Sequence, residues 1–230
     1  MEEPDPDLPT KLICWDMDET LGHFRGIAHA LRGEEAPPSP YPIGIRCNIA
    51  AVLEQMYEEG FVHFITTGGG LNYAGLILEL TGLDVYFAEV LADDALYTPE
   101  ELETNTYERK RYGFALDLME FSEERAKSDM IIIGDLHKDA PYDLDGVVFI
   151  EHESGFLYDA HLSYLLIHAF LEAGDGSFNK GFNALYRQDE TVSINNNIQF
   201  KTEIRYFRGN DTPTIYSINA EDYIKRLEEI

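Results

Sequence analysis

The chain is poor in positive charge. It carries 17 Lys and Arg against 43 Asp and Glu, a formal net charge of −26 over 230 residues. A nucleic-acid backbone has to be met by Lys and Arg, so sequence-independent binding to DNA or RNA is not expected, and an anionic membrane surface is disfavoured for the same reason. Long apolar runs are missing too. None approaches the roughly 20 residues that span a bilayer. Cysteine is scarce: Cys14 and Cys47 are the only two, and neither belongs to a Cys-x-x-Cys pair. That pattern fits reduced thiols in a cytoplasmic protein better than a disulfide scaffold. The first residues, Met1-Glu2-Glu3-Pro4-Asp5-Pro6-Asp7, have neither the basic stretch nor the apolar stretch of a secretory signal, which again points to the cytoplasm. No Gly-x-x-x-x-Gly-Lys-[Ser/Thr] loop, Gly-x-Gly-x-x-Gly fingerprint or His-Glu-x-x-His helix occurs, so the nucleotide loops and zinc site that those patterns build are not expected.

What is present is a globular composition, 44% hydrophobic and 12% aromatic, long enough for one α/β core plus a small appendage. Residues 1–9 read as a loose tail. Short apolar runs at 11–15, 61–65, 84–91, 130–133 and 147–150 read as strands, several of them apolar throughout. Between them, 46–59 places Ile49, Val52, Leu53 and Met56 at i, i+3, i+4 and i+7, which predicts an amphipathic helix. Helices are also predicted over 73–80, 112–126 and 161–173. Residues 22–42, with four prolines, read as a loop with one helical turn, and 93–103 as a solvated acidic loop. Strands alternating with helices predict a doubly wound, Rossmann-like parallel sheet covered on both faces, over about residues 10–175. Beyond it, 191–207 alternates apolar and polar residues and 214–218 forms another short run, with a turn at Gly209-Asn210-Asp211. Residues 176–230 are therefore expected to form an antiparallel β appendage closed by a helix at 220–227.

Open parallel sheets bind ligands at the carboxyl ends of their strands, and three of these strands end in useful chemistry. The first runs into Asp16-Met17-Asp18-Glu19-Thr20, the second into Thr66-Thr67-Gly68-Gly69-Gly70, and the fourth into Gly134-Asp135-Leu136-His137-Lys138-Asp139. Lys110 lies between the last two groups in sequence. Asp16, Asp18, Asp135 and Asp139 offer the carboxylate oxygens that a hard cation prefers. Thr66, Thr67 and Gly68 offer a hydroxyl and closely approached backbone N–H groups for an anion, at a helix start. An acidic protein acting on an anionic ester must gather positive charge locally, which draws attention to Lys110. Each feature has a plainer alternative. Asp16 and Asp18 could cap a turn, the glycines could be punctuation, and Lys110, within Arg109-Lys110-Arg111, could belong to a basic surface patch.

Taken together and in this order, the four segments resemble the motifs of the haloacid dehalogenase (HAD) superfamily: Asp-x-Asp-x-[Thr/Val] at 16–20, a Ser/Thr after an apolar strand at Thr66 or Thr67, Lys110, and Gly-Asp-x-x-x-Asp at 134–139. The first motif alone is one that an acidic chain supplies by chance. The resemblance covers about residues 10–150. It implies a phosphomonoester hydrolase with Asp16 as nucleophile, Asp18 as general acid/base, and Thr66 or Thr67, Gly68 and Lys110 on the phosphoryl group. It also implies Mg²⁺ held by Asp16, Asp135 and the backbone carbonyl of Asp18, with Asp139 binding through water or supporting the ligands from behind. An acidic residue at Asp18 separates the superfamily's phosphatases from its dehalogenases. Asp-Glu-Thr-Leu at 18–21 is similar to a protein-phosphatase branch, from which the chain departs at Gly22, after Lys110 and at Gly134-Asp135. The implied substrate is a phosphoprotein or a small phosphorylated metabolite. The alternative is a non-catalytic binding or regulatory protein on the same core.

Overall fold

A computed structural model describes residues 10–35, 44–106, 110–135, 137–141, 143–144, 146–152, 160–186, 201–206 and 214–219. The strands are β1 (Lys11–Trp15), β2 (Gly22–His23), β3 (Gly44–Ile45), β4 (Phe61–Thr66), β5 (Glu89–Leu91), β6 (Met130–Gly134), β7 (Val148–His152), β8 (Lys201–Tyr206) and β9 (Thr214–Asn219). The helices are α1 (Arg25–Leu31), α2 (Ile49–Glu58), α3 (Leu71–Thr81), α4 (Asp93–Leu96), α5 (Pro99–Thr104), α6 (Gly113–Met119), α7 (Glu123–Asp129), α8 (His161–Ala173) and α9 (Phe178–Tyr186).

Seven strands form one sheet in the order β5-β4-β1-β6-β7-β8-β9. The first five are parallel, and β8 and β9 add to β7 antiparallel. Strand β1 is central and buried, and its side chains alternate between two cores. Ile13 and Trp15 join a cluster with α2, α3, α8 and α9, while Leu12 and Cys14 join one built from Leu96, Tyr97, Tyr112, Leu116, Phe121 and Ala126 on the opposite face. A sheet buried on both faces explains why β1 and β6 are continuous apolar runs rather than alternating ones. The order of the parallel strands reverses at β1, with β4 and β5 to one side and β6 and β7 to the other. Such a switch point leaves a crevice at the strands' carboxyl ends.

Four local expectations are corrected. The helix expected over 112–126 is two helices: Glu120 turns into the left-handed region at φ 52°, and Ser122 then caps α7 by accepting from the Arg125 N–H at 3.2 Å. Residues 93–103 are not a loop. They hold α4 and α5, the latter nucleated by a capping box in which Thr98 and Glu101 satisfy each other's backbone N–H groups. The strand expected over 84–91 is only Glu89–Leu91, preceded by a short 3₁₀ turn at Asp84–Tyr86. Within 22–42, α1 spans Arg25–Leu31, more than the single turn expected. The tail at 1–9 and the helix expected at 220–227 lie outside the described residues. No helix among the described residues is long and apolar enough to cross a membrane.

Candidate active site at the sheet switch point

Register brings the site together. Trp15 pairs with Ile65 on one side and Ile133 on the other, so the next residue of each strand lies at a common edge: Asp16 between Thr66 and Gly134. The Asp16 N–H donates to the Ile133 carbonyl at 2.7 Å, carrying the β1–β6 ladder one step further. Asp135 follows β6 directly. Asp139 returns to the same spot over the short turn His137–Asp139. Gly134 permits that return. A Cβ there would stand 2.6 Å from the Asp139 Cβ, which no side chain tolerates.

One oxygen from each of Asp16, Asp135 and Asp139 lies within 4.8 Å of the others, and all three residues are buried. Lys110 is set among them, 1% exposed. Its ammonium donates to Asp16 Oδ1 at 2.5 Å, to the Thr66 carbonyl at 2.6 Å, and pairs with Asp139 Oδ1 at 2.7 Å. The surface-patch reading of Lys110 is therefore wrong. Its backbone N–H donates to the Lys138 carbonyl at 3.0 Å, fastening this segment to the turn that carries Asp139. Two further contacts hold the same junction: the Tyr112 hydroxyl donates to the Asp139 carbonyl at 2.6 Å, and Asp143 accepts from the N–H groups of Tyr112 and Gly113 at 3.0 Å.

Burial alone would lower the Lys110 ammonium, but the charges of Asp139 and Asp16 outweigh it and hold it well above the usual lysine range. Asp16 moves up, to about 7, because burial and the neighbouring Asp139 charge together exceed the opposing pull of Lys110. One lysine is thus insufficient to keep Asp16 fully ionised near neutrality. The donor set fits a hard divalent cation: three buried carboxylates, all oxygen, with one positive charge among them.

Asp18 stands apart from that cluster. Its Oδ1 accepts from the Tyr73 hydroxyl at 2.8 Å, and its backbone bridges to Gly22. The loop between them is tightly held. Glu19 sits in the left-handed region at φ 67°, its carboxylate 2.6 Å from His23 Nδ1. Arg46, 3% exposed, donates to the carbonyls of Glu19 and Thr20. Thr20 Oγ1 donates to Asp16 Oδ2 at 3.3 Å. The two threonines differ. Thr66 ends β4, fully buried, with its hydroxyl donating to the Trp15 carbonyl at 3.3 Å, whereas Thr67 Oγ1 accepts from the Gly69 N–H at 3.1 Å at the start of the loop into α3. Gly68 follows in that loop, facing the Tyr97 hydroxyl. Sequence reading missed Arg46, Tyr73, Tyr112 and Asp143. Each acts through a contact across the fold and belongs to no local pattern.

Fold and site together define a parallel α/β protein with a carboxylate–lysine centre at its switch point. Solved structures to which the chain is similar include a HAD-superfamily hydrolase of subfamily IA from Geobacter sulfurreducens PCA, 13% identical over 61% of this chain and 88% of that one, TM-score 0.42. They also include a haloacid dehalogenase-like family hydrolase from Streptococcus pneumoniae (15% identical, 56% and 78% covered, TM-score 0.37) and another from Xanthomonas campestris (13%, 55% and 75%, TM-score 0.35). No protein-family model matches the chain, and no curated protein sequence does. What the site can do chemically is set by its own side chains.

Proposed function

We propose that the protein is a Mg²⁺-dependent phosphomonoester hydrolase that works through an aspartyl-phosphate on Asp16. The observation that carries this reading is the buried triad of Asp16, Asp135 and Asp139 with Lys110 bridging two of its members. A phosphomonoester dianion repels an anionic nucleophile, so a carboxylate can attack phosphorus only where countercharge is already fixed. Lys110 supplies part of it. Asp16, Asp135 and Asp139, with the Asp18 backbone carbonyl, would hold the cation. When bound, Mg²⁺ supplies the remaining positive charge and favours the ionised form of Asp16.

In this reading an oxygen of Asp16 forms a bond to phosphorus as the ester oxygen departs. Asp18 gives that oxygen its proton, then takes a proton from the water that attacks the aspartyl-phosphate, releasing inorganic phosphate and restoring Asp16. Thr67, rather than Thr66, is the better hydroxyl for the phosphoryl group. The Thr66 hydroxyl is spent on the Trp15 carbonyl, while Thr67 uses its oxygen as an acceptor and keeps its hydrogen to donate. The Gly68 and Gly69 backbone and the start of α3 add anion-binding character. Among the described residues, the chain between β1 and α2 carries β2, α1 and β3 and no further helix or strand. The proposed substrate is a phosphoprotein or a small phosphorylated metabolite.

The test is hydrolysis of 4-nitrophenyl phosphate with Mg²⁺, with chelator, and by Asp16→Asn. Turnover that needs both Mg²⁺ and Asp16 supports the reading. No turnover of any phosphomonoester in a broad panel would favour a binding protein on the same fold.

A further inference from the structure

We propose that Tyr73 is a positioning residue for Asp18, orienting its carboxylate for proton transfer to the leaving group. The inference rests on the hydrolase reading above and extends it to a residue outside the motifs. The Tyr73 hydroxyl donates to Asp18 Oδ1 at 2.8 Å. An aspartate placed three residues beyond a strand has rotamers that point it to solvent as easily as to a substrate. A hydrogen bond to one oxygen fixes the plane of the carboxyl group and hence the direction in which it can exchange a proton.

The donor is itself firmly placed. Tyr73 lies in the first turn of α3, and its ring packs against the core cluster that contains Trp15 and Met17, the neighbours of Asp16. Its N–H donates to the Gly70 carbonyl at 3.0 Å. The ring lies over Gly69, where a Cβ would come within 2.8 Å of Tyr73 Cδ1. Gly69 in turn donates its N–H to Thr67 Oγ1. The loop 67–70 and the start of α3 therefore form one unit that sets both the candidate phosphate-binding hydroxyl and the proton-transfer carboxylate. This gives a reason for a tyrosine six residues beyond Thr67 and for glycine at position 69.

The predicted consequence is selective. A 4-nitrophenolate leaves readily and gains little from protonation, whereas an alkoxide leaves only with help from a general acid. Tyr73→Phe deletes the hydroxyl and keeps the ring. It should raise the ratio of kcat for 4-nitrophenyl phosphate to kcat for glycerol phosphate about tenfold over wild type, a loss in kcat rather than KM. In an Asp18→Asn background the same change should add nothing, because the group it positions has lost its function. Equal losses on the two esters, or losses additive with Asp18→Asn, would mean that Tyr73 serves the fold or substrate binding and would overturn the inference while leaving the hydrolase reading intact. A wild-type protein no more active than Asp16→Asn on both esters would instead overturn the reading, and the inference with it.

Discussion

Replacing Lys110 with methionine should destabilise the protein in a way that depends on pH. Methionine keeps an unbranched stem of similar length and deletes the ammonium. That ammonium reaches Asp16 Oδ1 at 2.5 Å, Asp139 Oδ1 at 2.7 Å and the Thr66 carbonyl at 2.6 Å from a position 1% exposed. Its removal relieves the cost of burying one cation. It also leaves two buried carboxylates without their fixed countercharge and a buried carbonyl without its donor. Taking one partner out of a buried ion pair costs about 3–5 kcal/mol, a large share of the roughly 5–15 kcal/mol that holds a domain together. The sign of the pH dependence follows from Asp16. Burial and the Asp139 charge already push it up to about 7 against the pull of Lys110, so without Lys110 it moves higher. A carboxyl raised on folding binds an extra proton in the native state. The stability this confers is present at low pH and is lost as pH rises through the folded value. The penalty of Lys110→Met should therefore be smaller near pH 5 and grow as pH rises past about 7. Urea unfolding of both proteins in chelator, at pH 5 and pH 8, measures it. A difference below about 1 kcal/mol at pH 8, or one of equal size at both pH values, would refute the assignment of Lys110 as the countercharge of this cluster.

Two further perturbations probe the same centre. Asp135→Asn should raise the Mg²⁺ concentration needed for half-maximal activity far more than Asp139→Asn, because Asp139 also spends an oxygen on Lys110; a metal titration giving equal shifts would overturn that ranking. Gly134→Ala places a methyl 2.6 Å from the Asp139 Cβ and should cost about 1–3 kcal/mol by overpacking, with weaker Mg²⁺ binding by calorimetry. A variant as stable and as metal-competent as wild type would show that the turn is looser than described.

Much of the sheet was legible because burial on both faces leaves a plain trace. Ile131, Ile132 and Ile133 face opposite cores in alternation, and all are fully buried. The juxtaposition of Asp16 and Asp135, with Asp139 close behind, followed once the strands were taken as parallel neighbours, whereas Lys110 lies on no strand and was drawn in by the resemblance. What escaped was of two kinds. The break between α6 and α7 and the capping box of α5 were written locally, in Ser122-Glu123-Glu124 and Thr98-Pro99-Glu100-Glu101, but a periodic apolar pattern masked the first and a run of acidic residues the second. Arg46, Tyr73 and Asp143 left no local trace at all. Arg46 reaches the carbonyls of Glu19 and Thr20 from the link between β3 and α2, and Tyr73 reaches Asp18 across the strand edge. Such contacts depend on where elements meet, and the choice between Thr66 and Thr67 depends on hydrogen bonds that only the folded chain assigns.

The central claim is that Asp16 carries the phosphoryl group during turnover. Mixing the protein with a ³²P-labelled phosphomonoester and Mg²⁺, quenching in acid within milliseconds, and mapping the labelled peptide tests it most directly. The account predicts acid-stable, hydroxylamine-labile label on the peptide containing Asp16, absent from Asp16→Asn. Label on a serine, threonine or histidine, or turnover that survives in Asp16→Asn, would contradict it.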